Sequence, residues 1–212
     1  MARIRILIAD DHPVVRKGLK DILSSAVGAI EFGEAEDAQQ TISESKKTNW
    51  DLILLDLSMP GKSGLDTLRQ IRQSNPKSPI LVLSMHSESQ FALRAIRAGA
   101  SSYICKDADL EELLKAIRAL LGGGKYISRT LAERIADHLD SNIQKQPHEN
   151  LTDREYQIMC MLASGKKLKD ISKSMSLSIK TISVCRQRIL EKMNVRGNNE
   201  LTQYSIQNRL IG

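Results

Sequence analysis

The chain predicts a doubly wound α/β domain built on a parallel five-stranded sheet, followed by a small all-helical domain. Three observations lead there. Short apolar runs alternate with segments of helical period as far as residue 121, a glycine triplet then stops the alternation, and the last third holds only helical patterns together with all the excess positive charge. In order, the apolar runs fall at residues 3–9, 30–34, 51–55, 79–84 and 101–105, rich in Ile, Leu and Val as strands covered on both faces require. The intervening segments, 13–25, 37–47, 64–74, 88–98 and 109–121, space their apolar residues as helices do. Pro13 suits a first helical turn and Gly99 a helix end. Gly122, Gly123 and Gly124 break the fifth helix, and a short amphipathic stretch follows near 128–139. Residues 140–150, DSNIQKQPHEN, are polar, contain Pro147 and lack an apolar period, the composition of a flexible tether. The chain thus divides into a domain over 1–121, a linker over 122–150 and a second domain over 150–212.

Composition narrows the classes further. A chain of 212 residues with 41% hydrophobic side chains can bury a core without covalent staples and is neither disordered nor collagenous. No apolar run approaches the roughly 18–20 residues a bilayer demands, and Asp10 and Asp11 interrupt the apolar start, so a soluble, unexported, cytoplasmic chain with no membrane partner is expected. Cys105, Cys160 and Cys185 are odd in number, far apart and without histidines at ligand spacing, which predicts reduced core thiols rather than disulfides or a zinc site.

In an open parallel sheet the chemistry collects beyond the carboxyl ends of the strands. Asp10 and Asp11 follow the first strand, Asp56 ends the third, Ser84 ends the fourth and Lys106 follows the fifth. Each alone could be a helix cap or a solvated loop residue. Together, three carboxylates against one ammonium leave an excess of negative charge that destabilises a fold unless a cation neutralises it. An oxygen-only donor set, with no His or Cys in it, favours a hard divalent ion such as Mg²⁺. Beside such an ion a carboxylate can attack a phosphoryl group while Lys106 neutralises its oxygens and the Ser84 hydroxyl donates to one. Asp56 is the best-placed nucleophile, because the apolar strand Leu52 to Leu55 holds it rigidly and leaves Asp10 and Asp11 to act as ligands.

Charge distinguishes the two halves. Residues 1–140 balance 19 Lys/Arg against 19 Asp/Glu, whereas residues 141–212 carry 12 against 6. A basic module most often meets a polyanion, although charge alone fits equally a solvated surface with no partner. Only seven aromatic residues occur, which disfavours a stacking platform for single strands and leaves duplex phosphates as the better candidate. The basic module opens with Leu151-Thr152-Asp153-Arg154-Glu155, a capping box with Thr152 as cap, and Gly165 stops the helix that follows. A short helix at 168–175, the turn Ser176-Leu177-Ser178 and a helix at 179–193 make a helix-turn-helix pattern, and a last helix at 199–209 starts after Asn198 or Asn199. Within 179–193, Ile182, Cys185, Ile189 and Met193 fall within about 80° of one another and form the buried stripe. The other face offers Lys180, Ser183, Val184, Gln187 and Arg188, and Thr181 is a further candidate DNA contact. Ser183 and Gln187 can hydrogen-bond to base edges and Val184 can meet a thymine methyl. Arg186, Arg188 and Lys192 lie where phosphates pass.

These motifs carry a resemblance. Residues 3–121 resemble the receiver domain of two-component response regulators in the acidic pair of LIADDHP, the run DLSMPGKSG from Asp56, LSMH at Ser84 and YICK at Lys106, all in the family's order and spacing. Residues 150–212 resemble the LuxR-type, or NarL-type, helix-turn-helix domain through LTDRE, ISKSMSLSIKTIS and ILEKMNVRGNNEL, and KKLKDIS, NEL and TQYSIQ are most similar to the branch containing GacA, UvrY and SirA. The resemblance implies a flavodoxin-like strand order 2-1-3-4-5 and phosphorylation of Asp56 by a sensor histidine kinase's phosphohistidine. It implies direct Mg²⁺ ligation by Asp11, ligation by Asp10 mainly through water, and a further ligand in the Ser58 backbone carbonyl. Tyr103 becomes the aromatic switch that turns inward when Ser84 moves. Helix 168–175 becomes the scaffold, 179–193 the recognition helix for double-stranded promoter DNA, and 199–209 a candidate dimer helix. A homodimer is expected on phosphorylation, with RNA polymerase as a further candidate partner.

Four positions depart from the commonest patterns. Met85 stands where a small residue is frequent and can shield an acyl phosphate from water, while Asp107 replaces a frequent proline after Lys106. Cys185 and Leu168 replace a common His or Tyr and a common Asn. The expected function is a phosphorylation-controlled transcription factor that is not an enzyme and loses its own phosphate at most slowly. An Mg²⁺-dependent phosphatase using the same carboxylates, and a regulator whose first domain only dimerises, are the alternatives.

Overall fold

A computed structural model describes residues 3–59, 63–85, 88–140, 146–175, 177–208 and 210–211. The chain forms two compact units, Met1–Ile135 and Ala136–Gly212. In the first, five strands, β1 (Ile4–Ala9), β2 (Ile30–Ala35), β3 (Leu52–Asp56), β4 (Ile80–Ser84) and β5 (Ser102–Cys105), alternate with α1 (Pro13–Val27), α2 (Ala38–Ser45), α3 (Gly64–Ser74), α4 (Glu88–Ala98) and α5 (Leu110–Leu121). The sheet is parallel throughout, in the order β2-β1-β3-β4-β5. The first strand lies inside the sheet, so the order reverses between β1 and β3 and opens a crevice at their carboxyl ends.

Strand parity divides the core into two layers. Ile6, Ile8, Leu52, Leu54, Leu81, Leu83 and Ile104 share one face with Leu19 and Leu23 of α1 and Ala116, Ile117 and Leu120 of α5. Leu7, Ile53, Leu55, Ile80, Val82 and Tyr103 have the opposite parity, and helices α2, α3 and α4 bury Ala38, Leu65, Leu68, Phe91 and Ala95. Burial on both faces explains why the strands read as unbroken apolar runs. Two local devices bring the chain ends to the crevice. A Cβ at Gly64 would overlap the Leu57 carbonyl, so only glycine lets α3 start this close to the end of β3. Arg16 of α1 donates from Nη1 to the Asp10 carbonyl at 2.6 Å and from Nε to Glu34 at 3.0 Å. Lys20, with Arg16, holds the Glu34 carboxyl below its usual range.

After α5 the backbone passes Gly123 with φ at +77°, and α6 (Arg129–Asp140) follows. Leu131 is buried in the first unit.

The second unit contains α7 (Asp153–Ala163), α8 (Leu168–Ser174), α9 (Ile179–Met193) and α10 (Asn198–Gln207), preceded by a 3₁₀ turn over Pro147–Asn150. Helix α7 forms the core, burying Tyr156 and Ile158 through Ala163. Its capping box is complete: Glu155 N–H donates to Thr152 Oγ1 at 3.3 Å, and Thr152 N–H donates to Glu155 Oε2 at 2.8 Å. Gly165 stops the helix with φ at +79°.

Three local expectations need correction. Residues 146–150 are ordered rather than a tether, because Pro147 starts the 3₁₀ turn and His148 Nδ1 lies 2.8 Å from the Tyr204 hydroxyl; residues 141–145 lie outside the described residues. Helix α10 begins at Asn198 with Gly197 as its cap, since the Asn198 side chain is engaged elsewhere. Of the cysteines only Cys160 is buried, while Cys105 and Cys185 are half-buried. Ser176 and Arg209 lie outside the described residues.

Candidate functional site

The crevice at the strand ends gathers the acidic residues the sequence singles out. Lys106 Nζ donates to Asp10 Oδ2 and to Asp56 Oδ2, both at 2.7 Å. Asp56 Oδ1 accepts the Ser58 N–H at 2.9 Å, and Asp10 Oδ1 accepts the His12 N–H at 2.8 Å. Both carboxylates are buried, at 2% exposure. Burial pushes the Asp56 carboxyl above its usual range, and Asp10 adds to this against the opposing pull of Lys106. Burial alone would lower the Lys106 ammonium, but its bonds to Asp10 and Asp56 outweigh that and raise it. One lysine therefore bridges two carboxylates and does not bond the third.

That third group is Asp11. Its Oδ1 is buried without a hydrogen bond; His12 Nδ1 lies 2.9 Å away, but not in hydrogen-bonding geometry. Donor atoms of Asp10, Asp11, His12 and Asp56 lie within 4.8 Å of one another. Two buried carboxylates and an orphaned carboxylate oxygen fit a hard divalent cation. His12 corrects the expectation that no histidine stands among these groups: the turn after β1 folds its ring back to 3.2 Å from Asp10 Oδ1. Adjacency to the acidic pair was its only signal in the sequence.

Ser84 and Tyr103 lie beside this cluster in the sheet. Asp56 pairs in register with Leu83, and Ser84 with Cys105. Tyr103 is 1% exposed, and its hydroxyl is hydrogen-bonded to the Ser84 side chain. Burial holds its phenol far above the usual range. The ring expected to turn inward is thus already inward. Met85 follows at 70% exposure.

In the second unit, Ser178 caps α9 by accepting the Thr181 N–H at 3.0 Å, and its hydroxyl also meets Thr181 Oγ1 at 2.8 Å. Ile182, Ile189 and Met193 are buried, while Cys185, expected in that stripe, is half-buried. Lys180, Thr181, Ser183, Val184, Gln187 and Arg188 are exposed. Val184, at 45% exposure, is an apolar residue held out to solvent on a polar face. Two of the cations expected at phosphates also make bonds within the unit. Arg186 Nε donates to Asn198 Oδ1 at 2.8 Å, and Lys192 Nζ donates to Glu155 Oε2 at 2.6 Å. Lys166, Lys167, Lys169 and Lys173, around the start and along α8, are exposed; the sequence reading passed over them, although their clustering before the turn was visible.

The Lys192 bond carries a pH prediction. Burial raises the Glu155 carboxyl, but Lys192 and Thr152 outweigh it and hold it below the usual value of 4.5. A depressed folded-state value means this stability is present above the unfolded value and is lost as pH falls through the folded one. Lys192→Met should therefore cost about 1 kcal/mol at pH 7, a charge-assisted bond discounted for solvent screening. Urea unfolding should show that difference shrinking to nothing well below pH 4.5.

Comparison with known proteins agrees with this geometry. Residues 6–118 match the family described as response regulator receiver domain, and residues 149–205 match bacterial regulatory proteins of the luxR family. The chain belongs to the response regulators with a luxR-type DNA-binding domain, which are phosphorylation-regulated transcription factors. Over 208 residues it is 34% identical to the response regulator UvrY of Escherichia coli (strain K12), covering 98% of this chain and 95% of that protein. Over 209 residues it is 32% identical to the response regulator GacA of Pseudomonas aeruginosa, covering 98% of each. Among solved structures, RcsB from Salmonella enterica serovar Typhimurium, bound to promoter rprA in the presence of the phosphomimetic BeF3-, superposes with a TM-score of 0.63 at 26% identity, over 95% of this chain and 98% of that one. A LuxR-family response regulator from Aurantimonas sp. SI85-9A1 covers 66% of this chain and all of its own at 38% identity, with a TM-score of 0.59. No helix among the described residues is long and apolar enough to cross a membrane.

Proposed function

We propose that Asp56 accepts a phosphoryl group from the phosphohistidine of a sensor kinase, and that this controls binding of promoter DNA by α9. The observation that carries the reading is the Lys106 bridge, 2.7 Å to both Asp10 and Asp56, beside an Asp11 oxygen that is buried and accepts no hydrogen bond among the described residues. Asp56 forms the new O–P bond as the donor's P–N bond breaks and its electron pair leaves with the imidazole nitrogen. Lys106 turns its ammonium toward the incoming oxygens, and Ser84 exchanges its Tyr103 partner for one of them. Asp11 directly, Asp10 mainly through water, Asp56 and the Ser58 carbonyl would hold Mg²⁺, which neutralises phosphoryl charge when bound. The chain is no enzyme on this reading: it turns over no ester and loses only its own phosphate. Release of inorganic phosphate from small aryl phosphates would establish the phosphatase alternative instead.

Met85→Ala should shorten the life of the aspartyl phosphate severalfold by admitting water, measured as phosphate release from phosphorylated protein; equal rates would remove the shielding role. In the second unit, Ser183, Val184 and Gln187 read base edges, while Lys180, Arg188 and the α8 lysines meet phosphates. Gln187→Ala should lose about 1–3 kcal/mol of discrimination at one base position, whereas Lys173→Ala should weaken all duplexes alike and lower the salt slope by about one. Uniform loss for both would exclude Gln187 as a reader.

Pairing of two chains on half-sites completes the reading. Ile206 on α10, 59% exposed, supports that helix as the dimer surface, and an RcsB structure of the same fold contains two dimers on DNA. The direct test is duplex titration of the full chain with and without Mg²⁺ and beryllofluoride. Affinity should rise with both present, and an unchanged affinity would end the proposal.

A further inference from the structure

The segment between α5 and α6 is fastened to the first unit by side-chain hydrogen bonds. Tyr126 donates its hydroxyl to Glu112 Oε1 at 3.0 Å and packs against the α1–α5 core layer. Two residues on, Ser128 Oγ donates to Glu88 Oε2 at 2.6 Å while accepting the Leu131 N–H at 3.1 Å, and Leu131 is 1% exposed. Glu88 is the first residue of α4, four positions after Ser84. It also lies close enough to Tyr103, the partner of Ser84, to act on its hydroxyl electrostatically. Glu88 thus ties the start of α4, on the strand-end side of the sheet, to Ser128, the residue just before α6.

We propose that residues 125–131 form a latch, fastened by the Ser128–Glu88 hydrogen bond and released by phosphorylation; this rests on the phosphoryl-transfer reading of Asp56. When Ser84 leaves Tyr103 for a phosphoryl oxygen, the Tyr103 side chain resettles on β5, and α4, which packs against β5, moves its Glu88 carboxylate. A charge-assisted bond of 2.6 Å tolerates little displacement, so Ser128 loses its acceptor and the start of α6 loosens. Helix α6 precedes the DNA-binding half in the chain, so its hold on the first unit sets how freely that half is presented.

Ser128 is also the N-cap of α6, and the test must separate the two roles. Glu88→Ala removes the latch and keeps the cap. Ser128→Asp keeps a capping oxygen but sets a carboxylate against Glu88. Backbone hydrogen–deuterium exchange of the full chain, read over residues 126–131, should be slow in the unmodified wild type and about tenfold faster with Mg²⁺ and beryllofluoride. Both variants should exchange at the fast rate without beryllofluoride, and their basal duplex affinity should rise toward that of the loaded wild type. Glu88→Gln, which retains an acceptor, should stay close to wild type. Slow exchange in both unloaded variants, or exchange in the wild type that ignores beryllofluoride while duplex affinity responds to it, would overturn the latch and leave the Asp56 switch standing. A wild type whose duplex affinity ignores beryllofluoride overturns both.

Discussion

Asp56→Asn is expected to abolish the rise in duplex affinity that Mg²⁺ and beryllofluoride produce, leaving the basal affinity of the second unit intact. An amide neither accepts a phosphoryl group nor coordinates its analogue as a carboxylate does, while the exposed face of α9 is unchanged. The fold should survive. Because burial raises the Asp56 carboxyl, the folded state holds that proton more tightly than the unfolded chain. Its contribution to stability is therefore present at low pH and lost as pH rises through the folded value, so the ionised form weakens the protein at neutrality. A neutral amide removes that cost, and urea unfolding at pH 7 should find the variant at least as stable as wild type. Electrophoretic or fluorescence titration of one duplex, with and without the analogue, reads the functional arm. A variant that still responds would place the phosphoryl acceptor elsewhere.

Lys106→Met should be the most destabilising substitution in the crevice. It leaves Asp10 and Asp56, each 2% exposed, facing each other without the ammonium that bridges them. Removing one partner of a buried ionic cluster costs about 3 kcal/mol or more. Urea unfolding with chelator present, so that no divalent ion substitutes for the lysine, should show that loss. Adding Asp56→Asn should recover most of it, because one of the two carboxylates is then neutral. Failure to recover would mean that the lysine serves packing and not charge balance.

The strand and helix limits were legible because a parallel sheet buried on both faces leaves unbroken apolar runs, and β3 and β4 end at Asp56 and Ser84, the positions their patterns mark. The same regularity delivered the site, since its polar groups follow the strands. Contacts between residues far apart in sequence could not be read. A helical wheel places Lys192 on the side expected at phosphates, but its bond to Glu155, 37 positions earlier, is invisible there. Arg186 is drawn to Asn198 across the turn into α10, which also removed Asn198 as a cap and left that role to Gly197. His12 and the inward Tyr103 depend on how a loop and a ring settle in the packed crevice, which periodicity does not encode.

The capping box of α7 has a consequence for how such a protein changes. Glu155 caps one helix and, through Lys192, tethers the far end of another, while Ser178 secures that helix at its start. The side chains held out between those two fastenings, Ser183, Val184 and Gln187, are exposed and take no part in either. On the proposed reading, descendants can rewrite their operator vocabulary at these three positions one residue at a time without loosening either fastening.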